Sequence, residues 1–522
     1  MKNNLQIIRH FLTRRLTRLN YQWERQNIGI LIPIIVLLMI LLSPNVAAQN
    51  SASPSIADQI LNPIVGFLST ILFFKIGGEN GFPFIVLWLL IGAIFLTLRM
   101  QCVNIWGFSH AIAVIQGKYD NPDDQGEVSH FQALATAVSG TVGLGNIAGV
   151  AIAIQLGGPG AMFWLTIAGF CGMVTKFVEC SLSVKYRKVL EDGTVLGGPM
   201  YYLTRGLGDR GWHRLGQGLA VLFCILGIGG SLGGSMFQAN QSYAAIANLI
   251  TGFPNWLFGL ILGVLTGFVI IGGIRRIGAI AEKLVPAMAV IYIVACLLII
   301  VVNIAQVPTA ITTIITEAFL PKAVTGGIVG VMVQGFRRSA FSNEAGIGSA
   351  AIAHAAARTD EPIREGIVAL LEPFIDTVVI CNLTAISIVL TGVYQNTGDG
   401  LDGVTMTSEA FATVIGWFPI ILSIAVCLFA FSTIISWSYY GIQAWSYLFG
   451  QQNTLIFKIV YVVCAFLGSL SSLSVIIDFS DLMLLSMAFP NLLGCYFLSN
   501  EVAQDLKDYW QRLTRGEMGD FI

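Results

Sequence analysis

Two glycine-rich stretches, Ser139-Gly140-Thr141-Val142-Gly143-Leu144-Gly145-Asn146 and Ser342-Asn343-Glu344-Ala345-Gly346-Ile347-Gly348-Ser349, place hydroxyls, amides and one carboxylate inside otherwise apolar sequence. Such stretches interrupt a helix. An interrupted helix leaves amide N–H groups at the start of one half and carbonyl oxygens at the end of the other. Unpaired amides suit a carboxylate; unpaired carbonyls suit an ammonium group or a small cation. Between Glu127 and Lys176 there is no charged residue. At the first interruption the backbone, the hydroxyls of Ser139 and Thr141 and the amide of Asn146 must therefore supply the polarity. That is chemistry for a zwitterion and for a hard cation such as Na⁺, whose oxygen ligands need no formal charge. Dissipating a gradient of that ion is then a sufficient energy source.

Other polar residues lie in apolar runs. Gln238 and Asn240, in Met236-Phe237-Gln238-Ala239-Asn240-Gln241, either bind substrate or bridge helices. Ser432 and Thr433 either complete a cation shell or bond back to their own helix. Ionisable residues within a membrane are functional candidates by default, which singles out Glu344 and Asp376. Lys176 and Glu179, three apart on one helix face, read as a structural ion pair. Arg337 and Arg338 flank the second interruption and either hold its shape or gate it. None of His10, His110, His130, His213 and His354 clusters with carboxylate or cysteine ligands, so neither a metal site nor a proton relay is expected. The nine cysteines form no CxxC pair and read as small buried hydrophobes.

The elements that position these residues must be membrane helices. Of 522 residues, 55% are apolar and 11% charged, which excludes a conventional cytosolic enzyme. The net charge of −1 offers no field to recruit nucleic acid. Apolar runs of about 18 residues or more predict a span at 82–99 and ten more at 131–155, 158–183, 214–247, 256–274, 280–303, 325–355, 366–393, 416–448, 454–474 and 478–499. The run from Leu61 to Phe74 is short and reads as an interfacial or re-entrant helix within a segment 49–130. Residues 1–48 have the order of a signal peptide, with cleavage after Ala48, or of an uncleaved N-terminal anchor.

The two interruptions fall in the first and sixth of the ten later spans. Five crossings separate them, and an odd number inverts the second copy relative to the first. Paired broken helices in an inverted repeat point to a transporter's central site. The expected architecture is thus an all-α polytopic membrane protein with two inverted five-helix repeats, 131–303 and 304–500, each opening on a broken helix, plus an additional N-terminal helix. Basic residues gather at 184–214, near 275 and in the tail 501–522, whereas 249–255, 304–324 and 394–415 hold only Lys322. The first set, with the C-terminus, is expected on the cytoplasmic side of the plasma (inner) membrane.

Enzyme motifs lack their context. Gly229-Gly230-Ser231-Leu232-Gly233 matches a nucleophile elbow but lies in a helical apolar run, and Gly143-Leu144-Gly145-Asn146-Ile147-Ala148 matches a dinucleotide fingerprint with no strand before it. No P-loop or HExxH occurs, so no cofactor is implied beyond a coupling ion.

The stretch Ala137–Ala151 resembles the first broken helix of the alanine/glycine:cation symporter family. Gly157–Trp164 running on to Gly172–Cys180, Gly197–Leu203 and Phe341–Gly346 are similar to that family's motifs, in order, within 60–500. The resemblance implies Na⁺-coupled import of alanine or glycine, in L or D form. By position it implies that Thr141 and Gly145 meet the substrate carboxylate, that Gln238 reaches it, and that Phe341, Ser342, Asn343 and Glu344 close the pocket. By looser analogy with related sodium symporters, Val142, Asn146, Ser432 and Thr433 would be cation ligands. The chain departs from the family at Ile442 and Gln443, where an acidic residue and a lysine are common, and in its basic N-terminal extension. The expected partners are a small amino acid, Na⁺ and the lipid bilayer, with no obligate protein partner. Alternatives are a carrier for another small zwitterion, H⁺ coupling, a channel, or a receptor without flux.

Overall fold

In a bilayer every backbone polar group must be satisfied internally, and long apolar runs meet that demand as helices. The computed structural model is accordingly mostly helical. It describes residues 56–518 except 79–80, 122, 321–326, 396–402, 415 and 472; the expected signal or anchor at 1–48 lies outside them. Seven described helices are long and apolar enough to cross a membrane, and a pair bent at a break adds an eighth.

The chain begins with α1 (Ile56–Leu72), a short hairpin of β1 (Lys75–Ile76) and β2 (Phe82–Pro83), and α2 (Phe84–Arg99). The first broken span is α3 (His130–Thr141) and α4 (Val150–Gly157), followed by α5 (Ala161–Lys185), α6 (Pro199–Gly208), α7 (His213–Leu249), α8 (Asn255–Ile270) and α9 (Gly273–Val302). Then come α10 (Val307–Phe319), the second broken span as α11 (Gly327–Asn343) and α12 (Ala350–His354), and α13 (Pro362–Thr391). The remainder is α14 (Val404–Ala412), α15 (Phe418–Phe449), α16 (Thr454–Gly468) and α17 (Leu473–Thr514). Helix α7 packs along α15 and α17, and α5 packs against α11 and α13, so the two broken spans are enclosed by long helices.

Two segments outside the expected spans, 304–324 and 394–415, contain helices. In α10 the buried face is Ala310, Ile314 and Ala318; in α14 it is Val404, Met406, Thr407, Ala410 and Phe411. Both are too short to register in a search for long apolar runs. Helix α1 also starts earlier than the run at Leu61, and it lies against α17.

One end of the molecule is closed by side chains that join distant sequence. Helix α3 opens with a reciprocal cap, in which Gln132 N donates to Ser129 Oγ and Ser129 N donates to Gln132 Oε1, both at 3.2 Å. Beside it, Glu365 of α13 is buried between His130 and His354, each of which bonds one carboxylate oxygen through Nδ1. The expectation that no histidine clusters with a carboxylate is therefore corrected: these residues are brought together only by folding. Arg187 Nη1 donates to the carbonyls of Ala355 and Ala357 at 2.8 and 2.7 Å, and Nη2 to those of Gln125 and Thr359 at 2.7 and 2.6 Å. One guanidinium thus bolts the segment before α3 to the segment after α12. Arg187→Ala is expected to cost about 3 kcal/mol, the scale of a hydrogen-bonded charge lost from a partly buried site. Amide exchange should rise at 125–128 and 355–359 and the melting temperature should fall; unchanged exchange there would show that the bolt does not hold the two segments.

Candidate functional site

Helix α3 ends where the glycines begin. Val142 has ψ 87°, outside the helical range, and the chain then winds with i→i+5 geometry over Gly145–Gly149, so that the halves of the span meet at 50°. Wide turns of this kind recur at functional sites. Side chains catch the released backbone groups: Gly143 N–H donates to Asn146 Oδ1 at 2.9 Å, and Leu144 N–H to Gln238 Oε1 of α7 at 3.3 Å.

The second break has a different backbone origin. Glu344, Gly346 and Gly348 all have positive φ, at 55°, 88° and 88°. Left-handed backbone is unstrained for glycine but costs about 1–3 kcal/mol for a residue such as glutamate. Local bonds hold it there. Trp437 Nε1 donates to Glu344 Oε1 at 2.8 Å, Ser349 Oγ donates to the other oxygen, and Ala345 N–H donates to Asn343 Oδ1 at 3.0 Å. Each break therefore uses one asparagine to satisfy an N–H that its helix has abandoned.

The breaks touch one another. A methyl group on Gly145 would lie 3.3 Å from Ser342 Cα and 3.6 Å from Phe341 Cδ1, an approach that favours a residue without a side chain. Phe341 meets Phe237 of α7 edge-to-face at 5.4 Å. Both asparagines then reach α13, which itself winds i→i+5 over Phe374–Cys381. Asn146 Nδ2 donates to Asp376 Oδ1 at 2.6 Å and to its carbonyl at 3.0 Å; Asn343 Nδ2 donates to Thr377 Oγ1 at 2.8 Å. Ser342 Oγ and Thr377 Oγ1 each donate to Asp376 Oδ2 at 2.7 Å. Asp376 is wholly buried and forms no ion pair among the described residues; its carboxylate is held by neutral donors alone.

Helix α15 forms another wall. Ser432 Oγ donates to Phe429 O of its own helix at 2.9 Å, while Ser432 O accepts from Ser139 Oγ at 2.8 Å. Thr433 Oγ1, Ser436 Oγ and Tyr440 Oη follow at i, i+3 and i+7, hence on one face, and all three are buried without a hydrogen-bond partner among the described residues. A methyl on Gly143 would lie 2.4 Å from Thr433 Oγ1 and 3.1 Å from Gln238 Nε2; one on Gly140 would lie 3.0 Å from Tyr440 Oη. A seam of hydroxyls thus faces the glycines of the first break.

The structure brings Thr141, Val142, Gly145, Asn146, Gln238, Phe341, Ser342 and Thr433 around this junction. The Thr141 hydroxyl makes only long contacts, 3.3 and 3.4 Å, to carbonyls of its own helix. Asn343 and Glu344 commit their side chains to holding the second break, and the Ser432 hydroxyl turns back on α15. Asn240 separates from Gln238 in role: its amide donates to Ser471 O at 2.8 Å and bridges helices. Ser231 of the apparent nucleophile elbow lies within α7 and donates to Trp437 O at 2.7 Å. Arg337 and Arg338 both close on Asp481 of α17, Arg337 at 2.8 Å.

The expected Lys176–Glu179 pair is corrected. Lys176 Nζ bonds Glu372 Oε1 at 2.8 Å, and Glu179 Oε1 accepts instead from Asn491 Nδ2 at 2.6 Å. Helical spacing places Lys176 and Glu179 on neighbouring positions, but the buried partner lies across the helix interface. Thr377 and Tyr440 were not singled out from sequence: Thr377 follows Asp376 directly, which was the available signal, and Tyr440 lies in an aromatic run of α15 with nothing to show which neighbour its hydroxyl meets.

The model of the sodium:alanine symporter family matches residues 67–521. Sodium/alanine symporter AgcS of Methanococcus maripaludis is 40% identical over 430 residues, covering 82% of this chain and 94% of that protein. Amino-acid carrier protein AlsT of Bacillus subtilis is 36% identical, covering 82% and 90%, and the probable sodium/glutamine symporter GlnT of the same organism is 33% identical, covering 88% and 93%. These proteins are transporters rather than enzymes. Two broken helices in contact, enclosed by apolar helices and matched over nearly the whole chain, place this multi-pass membrane protein in the sodium:alanine symporter family.

Proposed function

We propose that the protein imports a small neutral amino acid, alanine or glycine in L or D form, together with Na⁺ by alternating access across the plasma (inner) membrane. Family membership supports Na⁺-coupled amino-acid symport. The observation that carries the finer reading is the contact of the two breaks at Gly145 and Ser342, beside a buried carboxylate that forms no ion pair among the described residues. A site walled by glycine backbone and by Phe341 suits a short side chain.

In this reading the backbone at Gly145 and the hydroxyl of Thr141 take the substrate carboxylate and Gln238 reaches it from α7. Phe341 closes over the side chain, while Ser342, Asn343 and Glu344 set the shape of the second break. Val142, Asn146, Thr433 and the Ser432 backbone offer oxygens to Na⁺, and Asp376 supplies a formal negative charge. One helix bundle rocks against the other, with the C-terminus in the cytoplasm. Binding must be mutual: a factor by which Na⁺ raises substrate affinity is the factor by which substrate raises Na⁺ affinity.

Uptake of labelled alanine into proteoliposomes tests the proposal, with glycine, serine, valine and glutamine as competitors and Li⁺ or K⁺ replacing Na⁺. Uphill uptake that collapses with the Na⁺ gradient is expected; a channel would need no gradient, and a receptor would bind without accumulation. Thr141→Val should weaken alanine competition roughly 2- to 10-fold, the equivalent of one neutral hydrogen bond. Unchanged affinity would remove the Thr141 hydroxyl from the substrate site.

A further inference from the structure

Beside the junction lies a second group of charges, of which the proposed transport cycle uses only Glu344. Lys176 and Glu179 of α5, Glu344 of the second break and Glu372 of α13 are all buried, and the three carboxylates act electrostatically on the one ammonium. One positive charge cannot compensate three negative ones in an apolar interior, where an unpaired buried charge is strongly unfavourable.

The three carboxylates differ in what holds them. Glu372 holds Lys176 directly through Oε1 at 2.8 Å, while its Oε2 has no hydrogen-bond partner among the described residues. Glu344 receives a donor on each oxygen, from Trp437 and Ser349. Glu179 receives one, from Asn491 on Oε1; its Oε2 is buried without a partner and, unlike Glu372, it forms no ion pair among the described residues. The titratable and charged groups facing Glu179 are Lys176 and Cys180 of its own helix, Tyr202 of α6, Glu372 of α13 and Cys495 of α17. Lys176 is already engaged with Glu372. Two further observations tie this group to the moving part of the site. Asn491 Nδ2 also donates to Gly346 O of the second break at 2.7 Å. A cavity of about 20 Å³, lined by Thr175, Asn343, Ala345 and Gly346 and by none of the four charged residues, lies on the other side of that backbone contact, with room for one water, and Thr175 Oγ1 is buried without a partner among the described residues.

We propose that Glu179 is a proton-binding site: it is a neutral carboxylic acid while the two breaks are packed together, and it releases its proton to water when the second break moves. The O–H bond at Oε2 breaks, the electron pair stays on Glu179, and the proton passes to a water molecule admitted beside Gly346. Asn491 is the mechanical link, since it bonds both Glu179 and the backbone that must shift.

Infrared spectra of the purified full-length protein at neutral pH test this. The parent should show the C=O band of a buried carboxylic acid, and Glu179→Gln, which keeps the acceptor for Asn491 and replaces the acid O–H with an amide N–H, should remove the part of it that belongs to Glu179, read as the difference between the two spectra. In proteoliposomes at a fixed Na⁺ gradient, uptake by the parent should fall with rising pH with a one-proton slope, roughly tenfold per pH unit beyond the midpoint, and Glu179→Gln should be flat. No band in the parent, a band undiminished in Glu179→Gln, or the same pH profile in both would overturn the proposal. Should Glu179→Gln fail to fold, Glu179→Asp, which keeps the acid on a shorter stem, must shift the band; a band left in place is also fatal. The band is read without substrate, so it stands apart from which amino acid is carried.

Discussion

Asp376→Asn is expected to raise the Na⁺ concentration for half-maximal uptake roughly 10- to 150-fold, with the protein still folded. The range corresponds to the about 1.5–3 kcal/mol typical of an interaction with a charged rather than a neutral group. Asparagine has the shape of aspartate, keeps an oxygen for Asn146 Nδ2, and presents an N–H₂ towards which the hydroxyls of Ser342 and Thr377 can turn their lone pairs. The connections between α13 and both breaks therefore survive, and only the charge is lost. If Asp376 serves merely as a structural hub, the melting temperature will move and the Na⁺ dependence will not. Na⁺ titrations of uptake and of thermal stability separate the two. They also bear on why one carboxylate sits among neutral donors at the point where three segments meet, since such a group is stable in an apolar interior only with a compensating positive charge or a proton.

The interruptions were legible because they are local: glycine density and small polar residues between Ser139 and Asn146, and between Ser342 and Ser349, mark a backbone that will not continue as a helix. The apolar spans were legible for the same reason. What was not legible is pairing. Asn146 finds Asp376 across 230 residues, Lys176 finds Glu372 across 196, and His130 finds Glu365 across 235. Periodicity reports the face on which a residue lies, not the neighbour that face will meet. The i→i+5 winding of Phe374–Cys381 adds a shift of register that no glycine announces, and it decides which side of α13 carries Asp376. Lys176 and Glu179 show the converse error, in which helical spacing suggested a pair that tertiary packing divided. The short helices α10 and α14 were missed because their buried faces are only three to five residues each.

Gly143→Ala should be the more severe of the two changes at the junction, and it tests whether the space between the first break and α15 is the working part of the protein. The added methyl would lie 2.4 Å from Thr433 Oγ1 and 3.1 Å from Gln238 Nε2, and it cannot be accommodated unless one of them moves. Overpacking of this kind costs about 1–3 kcal/mol. Here the cost falls on the groups assigned to Na⁺ and substrate, so uptake should fall by roughly 10- to 100-fold or more. Gly149→Ala is the matched control: it lies on the same broken span with helical φ, and its nearest neighbour would be Leu144 O at 4.0 Å, so uptake should be close to that of the parent. Thr433→Ala, placed in the Gly143→Ala background, removes the closest clash and should restore the fold's stability without restoring the Na⁺ dependence, because the hydroxyl is lost along with the clash. Recovery of full Na⁺-dependent uptake in that double variant would show that Thr433 is only a neighbour of the site, and equal uptake by Gly143→Ala and Gly149→Ala would show that the space beside Gly143 is not used at all.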